Sequence, residues 1–341
     1  MNANLYIQRM LDILILNILP TRILISHWRR RVIMESEQQI FIGSSENMKA
    51  LNVPKNARLI ITSPPYWNLK DYGHPDEIGK ESYDDYLERM VTVFDQCYEH
   101  SHENAILAIN LAHRRKNKVY RPIMWDLYAA MQKNGSKWKL IDNIIWYKPN
   151  ELPQPNFYIE RLLDNKFEYV LVFAKNYNYD YIFNKIRVPQ KWLGKDPRKE
   201  KQNPNGRCIS NIIRIPAYRP PNLKKMNYHQ AAFPEELVQF FVDLYTNEGD
   251  TIMDPFVGSG TTLKVAKSMN RAGIGIEINP NNSKLIYERI SENYEPVPYT
   301  KIDLIHSSTG TVEEHSKLNK GKRRRLVRIE EKKLFSDEIL D

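Results

Sequence analysis

Short runs of Ile, Leu and Val recur along the chain. Between them lie longer stretches in which apolar residues return every three or four positions. Buried parallel strands carry the first pattern and amphipathic helices the second. The runs predict strands over Gln39–Ile42, Leu59–Thr62, Ala105–Ile109, Ile141–Tyr147, Tyr169–Ala174, Thr251–Met253 and Gly273–Ile276. Helices are predicted over Tyr83–His100, Pro122–Met131, Pro234–Tyr245 and Thr261–Met269. In the first of these, Tyr86, Leu87, Met90, Val91, Phe94 and Tyr98 form the apolar stripe. Proline at or near the first turn fits the starts at Pro122 and Pro234. Strands alternating with helices predict an α/β fold with a doubly wound, mostly parallel sheet. Residues 177–228 break the pattern. They lack periodicity, are rich in Pro, Asn, Lys and Arg, and are too long for an ordinary connection. There is no internal repeat.

A length of 341 residues allows one large domain or two ordinary ones. Composition excludes wholesale disorder and collagen. Two cysteines build neither a disulfide framework nor a Cys-rich zinc site, and they suit a reducing, cytoplasmic compartment. No His/Cys/Asp cluster with metal-ligand spacing is present, so no metal is expected. The net charge of +9 points to a polyanion such as nucleic acid, or to a merely basic soluble protein. Residues 11–25 (LDILILNILPTRILI) are apolar, but Asp12, Asn17, Pro20 and Arg22 interrupt them, so no membrane span is expected. The positive charges of Arg29, Arg30 and Arg31 follow this stretch, the reverse of a secretory signal. Residues 1–35 therefore read as an accessory helix, a disordered leader or an extension upstream of a start at Met34; the extension is the reading favoured. The end of the chain, 296–341, is a charged tail whose Lys/Arg/Glu mixture from Lys317 reads as a solvated helix or as a nucleic-acid contact.

Two segments carry chemistry. The first is Thr251-Ile-Met-Asp-Pro-Phe-Val-Gly-Ser-Gly-Thr-Thr262, a strand entering a glycine turn that opens a helix. Such a turn lets backbone N–H groups approach a ligand. Leu263 stands where a G-x-G-x-x-G fingerprint has its third glycine, and the Lys-Ser/Thr end of a P-loop is absent. Nicotinamide and nucleoside triphosphate are thereby weakened as ligands. Glu277, ending the next apolar run, is placed to bind ribose hydroxyls. The second segment is Thr62-Ser-Pro-Pro-Tyr-Trp67, directly after a strand. Two prolines end the strand in a stiff corner that projects a hydroxyl, a carbonyl and a ring. In open α/β sheets the carboxyl end of the strands is where ligands bind.

These residues resemble a known family. Ser63-Pro64-Pro65-Tyr66 is similar to the S/D/N-P-P-Y/F motif of amino-group DNA methyltransferases, and Asp254-Pro-Phe-Val-Gly-Ser-Gly260 to their S-adenosylmethionine motif. Ile144–Lys148, Phe167–Lys175 and His229–Pro234 resemble further family segments, in family order. The resemblance covers about residues 39–290. The catalytic half comes first and the cofactor half last, similar to the permuted beta class. It implies a Rossmann-like methyltransferase fold with a circularly permuted motif order and an inserted target-recognition region. The implied divisions are a catalytic half at 36–176, a recognition region at 177–228 and a cofactor half at 229–295. Serine in the motif leans toward N4 of cytosine, with adenine N6 as the alternative. A catalytically inactive DNA-binding module is the reading from another class. The Gly-Asp that often ends the family's first strand is here Gly43-Ser44-Ser45, so Ser44 and Ser45 are weak cofactor candidates.

The resemblance implies S-adenosyl-L-methionine as cofactor and double-stranded DNA as substrate. A restriction endonuclease is a possible companion, and the enzyme a monomer or homodimer. An exocyclic amine is a poor nucleophile because its lone pair is delocalised into the ring. The Ser63 hydroxyl and Pro64 carbonyl would accept its hydrogens, Pro65 stiffens the corner, and Tyr66, with Trp67 beside it, offers a stacking platform for an extruded base. Pro255, Phe256, Gly258, Ser259, Gly260 and Thr261 would cradle the methionine part of the cofactor. Asp254 would reach its amino group, Glu277 the ribose, and Phe233 the adenine. His229 reads as structural. Carbon-5 methylation needs an activated cysteine, which neither Cys97 nor Cys208 resembles.

Residues 181–229 hold twelve Lys/Arg against two Asp/Glu, a local charge of +10 interleaved with aromatic and amide side chains. Arg187, Lys191, Arg198, Arg207, Arg214 and Arg219 are the DNA-binding candidates there. A second basic cluster, His113-Arg-Arg-Lys-Asn-Lys118, is either a phosphate contact or a solvated loop.

Overall fold

The computed structural model describes residues 36–116, 119–151, 163–189, 206–218 and 233–304. The leader 1–35, Lys191, Arg198, Arg219, His229 and the tail beyond 304 lie outside the described residues. The strands and helices run in the order β1 (Gln38–Ile42), β2 (Ala57–Thr62), α1 (Tyr83–Glu99), β3 (Ser101–Leu111), β4 (Arg114–Lys116), β5 (Val119–Arg121), α2 (Ile123–Lys133), β6 (Lys139–Tyr147) and β7 (Phe167–Ala174). They continue as β8 (Arg187–Val188), β9 (Arg207–Cys208), β10 (Ile212–Arg214), α3 (Glu235–Tyr245), β11 (Thr251–Asp254), α4 (Thr261–Ser268), β12 (Ala272–Glu277), α5 (Ser283–Ser291) and α6 (Tyr299–Ile302).

Eight strands form one sheet in the order β1-β12-β11-β2-β3-β7-β6-β10. All neighbours pair in parallel except β7, which runs antiparallel to both β3 and β6. The mostly parallel, doubly wound α/β sheet expected from the alternation is therefore present. Every predicted strand and helix is found, with ends shifted by a few residues.

Each face of the sheet buries a large apolar cluster, and a smaller third one joins Val257 and Leu263 to Ile286 and Ile290 of α5. One packs α1 and α2 against alternate strand residues such as Ile60, Leu107, Ile109 and Phe173. The other packs α3 and α4 against Leu59, Ile61, Ala108 and Val172. Helix α1 follows directly from its sequence. Ser82 caps it by accepting the Asp85 N–H at 3.2 Å, acids fill the first turn, and Tyr86, Met90, Phe94 and Cys97 are buried. Truncating Phe94 to Ala at such a site costs about 3–5 kcal/mol.

The missing third glycine has a structural answer. Leu263 on α4 packs onto Gly273 and Gly275 of β12, where an added Cβ would lie 2.6–2.8 Å from its methyls. The close helix–strand approach comes from glycines on the strand.

Seven of the described elements were not read from the sequence: β4, β5, β8, β9, β10, α5 and α6. Strand β10, inside residues 177–228, completes the main sheet beside β6. Residues 299–304, assigned to the tail, are docked: Ile302 and Asp303 are buried, Asp303 bridges to Ile213, and the Tyr299 hydroxyl binds Asp243. Among the described residues no helix is long and apolar enough to cross a membrane.

Candidate active site

The carboxyl ends of β2, β11 and β12 lie side by side, because these strands are parallel neighbours. The loops leaving them enclose a cleft with about 920 Å³ of empty space, mouth included. Ser63, Pro64, Pro65 and Tyr66 form one wall, and the turn from Asp254 to Ser259 another. Phe233, Ile276 and Ile278 add apolar surface, and Glu277 closes the far side. The two chemical segments, about 190 residues apart in sequence, thus share one cavity.

A hydrogen bond joins them. Thr62, ending β2, donates to Asp254 Oδ1 at 2.7 Å, and Thr262 donates to Oδ2 at 2.6 Å. The Phe256 N–H reaches Oδ1 at 3.0 Å. Burial raises the Asp254 carboxyl to about 6, against the pull of these three bonds. Asp254 is consequently a brace between the end of β2 and the glycine turn after β11, as well as part of the cleft wall. Glu277 Oε1 accepts the Asn279 N–H at 2.9 Å and the Asn282 amide at 3.0 Å. Burial lifts its pKa above the usual carboxylate value, partly offset by these donors and by the Gly258 N–H.

The Ser63–Tyr66 corner is anchored from below. Tyr86 of α1 donates to the Pro65 carbonyl at 2.8 Å. The Tyr66 hydroxyl donates to Glu168 Oε2 on β7 at 3.0 Å. Burial, then the Glu168 charge, pushes the Tyr66 phenol far above its ordinary pKa, so it stays protonated. Arg89 of α1 grips both Glu46 oxygens, at 2.7 and 3.0 Å, and the carbonyls of Asp76 and Glu77. It thereby ties the Ser44–Ser45 turn to the loop carrying Glu77, another cleft residue. Glu77, Tyr72 and Thr262 also line the cleft, and none was singled out from the sequence.

Several expected roles change. Trp67 does not line the cleft; its ring packs edge-on to Tyr83 at 5.0 Å and its N–H donates to the Glu81 carbonyl. Tyr66 alone offers a ring there from the motif. Gly260 is also off the wall. It caps α4 with φ +87°, and an added Cβ would meet Ile286 at 3.2 Å. Ser44 and Ser45 do line the cleft, yet both hydroxyls are engaged, Ser44 with Glu46 at 3.1 Å and Ser45 with the Pro255 carbonyl. Cys97 is buried and its thiol pushed to high pKa by burial, the opposite of an activated nucleophile.

The DNA candidates split. Arg187 and Arg207 sit on the small β8–β9 ribbon. Arg187 shares an open groove with Thr246, Asn247 and Arg271, which precede β11 and β12, so it lies at the amino edge of the sheet. Arg207 pairs with buried Asp303 and serves the fold. Arg214 ends β10 beside Tyr147, at the carboxyl edge. The hairpin β4–β5 also rises from that edge, after β3. Arg114 donates to the Asn68 carbonyl at 3.0 Å, and Arg121 lies over Tyr83 at 4.7 Å, clamping the hairpin to the loop after Tyr66 and to the start of α1.

Comparison with known proteins agrees with this geometry. The N6/N4 methyltransferase family model, described as DNA methylase, matches residues 57–288. The type II methyltransferase M.SmaI of Serratia marcescens is 30% identical over 261 residues, 68% of this chain and 83% of that protein. M.HpaI of Haemophilus parainfluenzae is 31% identical over 253 residues, 73% of this chain and 74% of the relative. Among solved structures, the PvuII cytosine-N4-specific DNA methyltransferase shares the fold, with a TM-score of 0.57 and 19% identity over 76% of this chain and 88% of that one. A candidate DNA modification methylase of Thermus thermophilus, complexed with S-adenosyl-L-methionine, gives 0.51 and 23% over 74% and 93%. The chain belongs to the N6/N4 DNA methylase family and is an S-adenosylmethionine-dependent DNA amino-methyltransferase.

The cleft fits that cofactor. Among the described residues its lining holds three carboxylates, Glu77, Asp254 and Glu277, and neither lysine nor arginine. Such a wall suits a cationic nucleoside and disfavours a pyrophosphate.

Proposed function

We propose that the protein methylates the N4 amine of cytosine at a defined site in double-stranded DNA, as the modification enzyme of a restriction system. The observation that carries this reading is the Ser63–Tyr66 corner opening into the same cleft as the Asp254–Ser259 turn. The serine form of the corner supports cytosine, and the names of the type II relatives support the restriction context.

When bound, the cofactor supplies an electrophilic sulfonium methyl. Asp254 and Glu277 face its ammonium and ribose hydroxyls, with Gly258 and Phe256 forming the turn beneath. Ser63 Oγ and the Pro64 carbonyl accept the two amine hydrogens of an extruded base. They hold its nitrogen lone pair in line with the methyl and stabilise the positive charge that grows there. The Tyr66 ring stacks against the base. The amine is neutral, so no proton need leave before attack; the methyl's bond to sulfur would break as its bond to nitrogen forms, and one amine hydrogen then leaves as a proton to solvent.

DNA then lies along the carboxyl edge, where Arg114 and Arg115 of the hairpin and Arg214 of β10 meet phosphates or base edges. Digesting DNA treated with the enzyme to nucleosides, followed by mass spectrometry, tests the reading. N4-methylcytosine is expected. N6-methyladenine alone would overturn the base assignment, and no modified base would overturn the activity.

A further inference from the structure

We propose that Glu168 is a positioning residue for methyl transfer, acting through Tyr66 on the corner that carries Ser63. Two family-like segments, Ile144–Lys148 and Phe167–Lys175, carried no role in the sequence, and the fold brings their polar residues to the catalytic corner. Strands β6 and β7 are antiparallel neighbours, and Trp146 pairs with Glu168 in register. This sets Lys148, just past the end of β6, against the start of β7.

The contacts form a chain. Ser63 and Tyr66 line the cleft three residues apart on one corner. The Tyr66 hydroxyl donates to Glu168 Oε2 at 3.0 Å, and Lys148 Nζ donates to Glu168 Oε1 at 2.7 Å. Glu151 pairs with Lys148 from its other side at 3.2 Å. Glu168 and Lys148 are 12% and 8% exposed in their side chains, so solvent screens this pair little. Burial opposes the Lys148 charge, yet the two carboxylates outweigh it and hold the ammonium protonated.

Direction gives the chain its function. A phenol that donates its only hydrogen to Glu168 offers Ser63 nothing but lone pairs. Toward that oxygen Ser63 can act only as a donor, which leaves its own lone pairs for the cleft. An acceptor there is what an amine N–H requires. Glu168, as the charged end, makes this polarity the stable one, since hydrogen bonds to ionised acceptors are about twice as strong as neutral ones. It also fixes the Tyr66 ring on which a base stacks. Lys148, backed by Glu151, keeps the carboxylate aimed at Tyr66 without touching substrate.

This inference rests on the amino-methyltransferase reading of the cleft, and its test separates the two. The recognition site is first read from a plasmid methylated by the wild-type enzyme, so failure of the parent reading shows there. Turnover and cofactor affinity are then measured for Glu168→Ala, Glu168→Gln, Tyr66→Phe and the Tyr66→Phe/Glu168→Gln double variant. A duplex with 2-aminopurine at the target position reports stacking of the extruded base. Glu168→Ala is expected to lower kcat by about 10-fold or more and to change 2-aminopurine emission, with cofactor Kd within about twofold. Tyr66→Phe should cost a smaller factor in the Glu168→Gln background than in the wild type. If Glu168→Ala does not fold, the Gln pair completes the cycle. Equal factors in both backgrounds, or an Ala variant with wild-type turnover, would overturn the proposal.

Discussion

The two edges of one sheet differ in kind. At the carboxyl edge, loops from three parallel strands converge on a cleft walled by acids, hydroxyls and a glycine turn. At the amino edge, the β8–β9 ribbon lies over the approach to β11, in an open groove lined by both charge signs. Both edges draw arginines from residues 181–229, yet only the first is built around an enclosed cleft. Positive charge in sequence is therefore not positive charge at the site. Residues 181–229 hold more than the whole net charge of +9, but their described arginines divide between the two edges, and one of them is paired internally. Parallel strands explain the asymmetry, since every loop leaving a carboxyl end emerges on the same side.

Substitutions can test how far the two edges differ. The largest effect is expected from Gly258→Val. Gly258 has φ +52° on the cleft wall, so a branched side chain adds strain of about 1–3 kcal/mol and fills the ligand's space. Cofactor binding, measured by calorimetry, should weaken by about 100-fold or more. Ser63→Ala should follow, lowering kcat by about 100-fold with cofactor affinity retained, because it removes an acceptor needed only as charge develops. An unchanged kcat would remove Ser63 from the chemistry.

The edges are compared directly by Arg114→Ala and Arg214→Ala against Arg187→Ala. The first two should weaken DNA binding by about 1 kcal/mol or more each in a fluorescence titration, and Arg187→Ala by far less. The reverse order would place DNA on the amino edge.

A smaller effect is expected from pH. Burial lifts Asp254 to about 6, so the carboxylate is ionised above that value. A cationic ligand favours the ionised form. Cofactor affinity should hold above about pH 6 and decline as pH falls through it. A flat profile from about pH 7.5 to 5 would show that Asp254 acts only as a brace. Gly260→Ala closes the series. At φ +87° beside Ile286 it should lower thermal stability by about 1–2 kcal/mol, with little effect on catalysis once folded.

Much of this was legible in the chain because its signals are local. A run such as Leu59–Thr62 must be a strand when two prolines end it, and the Ser63–Tyr66 and Asp254–Gly260 segments name their chemistry within a few residues of backbone. Trp67 misled because a motif gives order and not direction. Its side chain turns onto Tyr83, away from the cleft. Arg207 misled because its partner, Asp303, lies 96 residues away, in a segment read as tail. Glu168 was invisible for the same reason: nothing near it in sequence points to Tyr66, 102 residues earlier.

The sequence by itself determined seven of the eight main-sheet strands and the two motifs. Apolar periodicity, proline and glycine act over a few residues. The tertiary structure decided which motif residues face the cleft, which arginines stand at its edge, and which carboxylates brace the fold. Those outcomes depend on strand order and register, which set neighbours far apart in the chain.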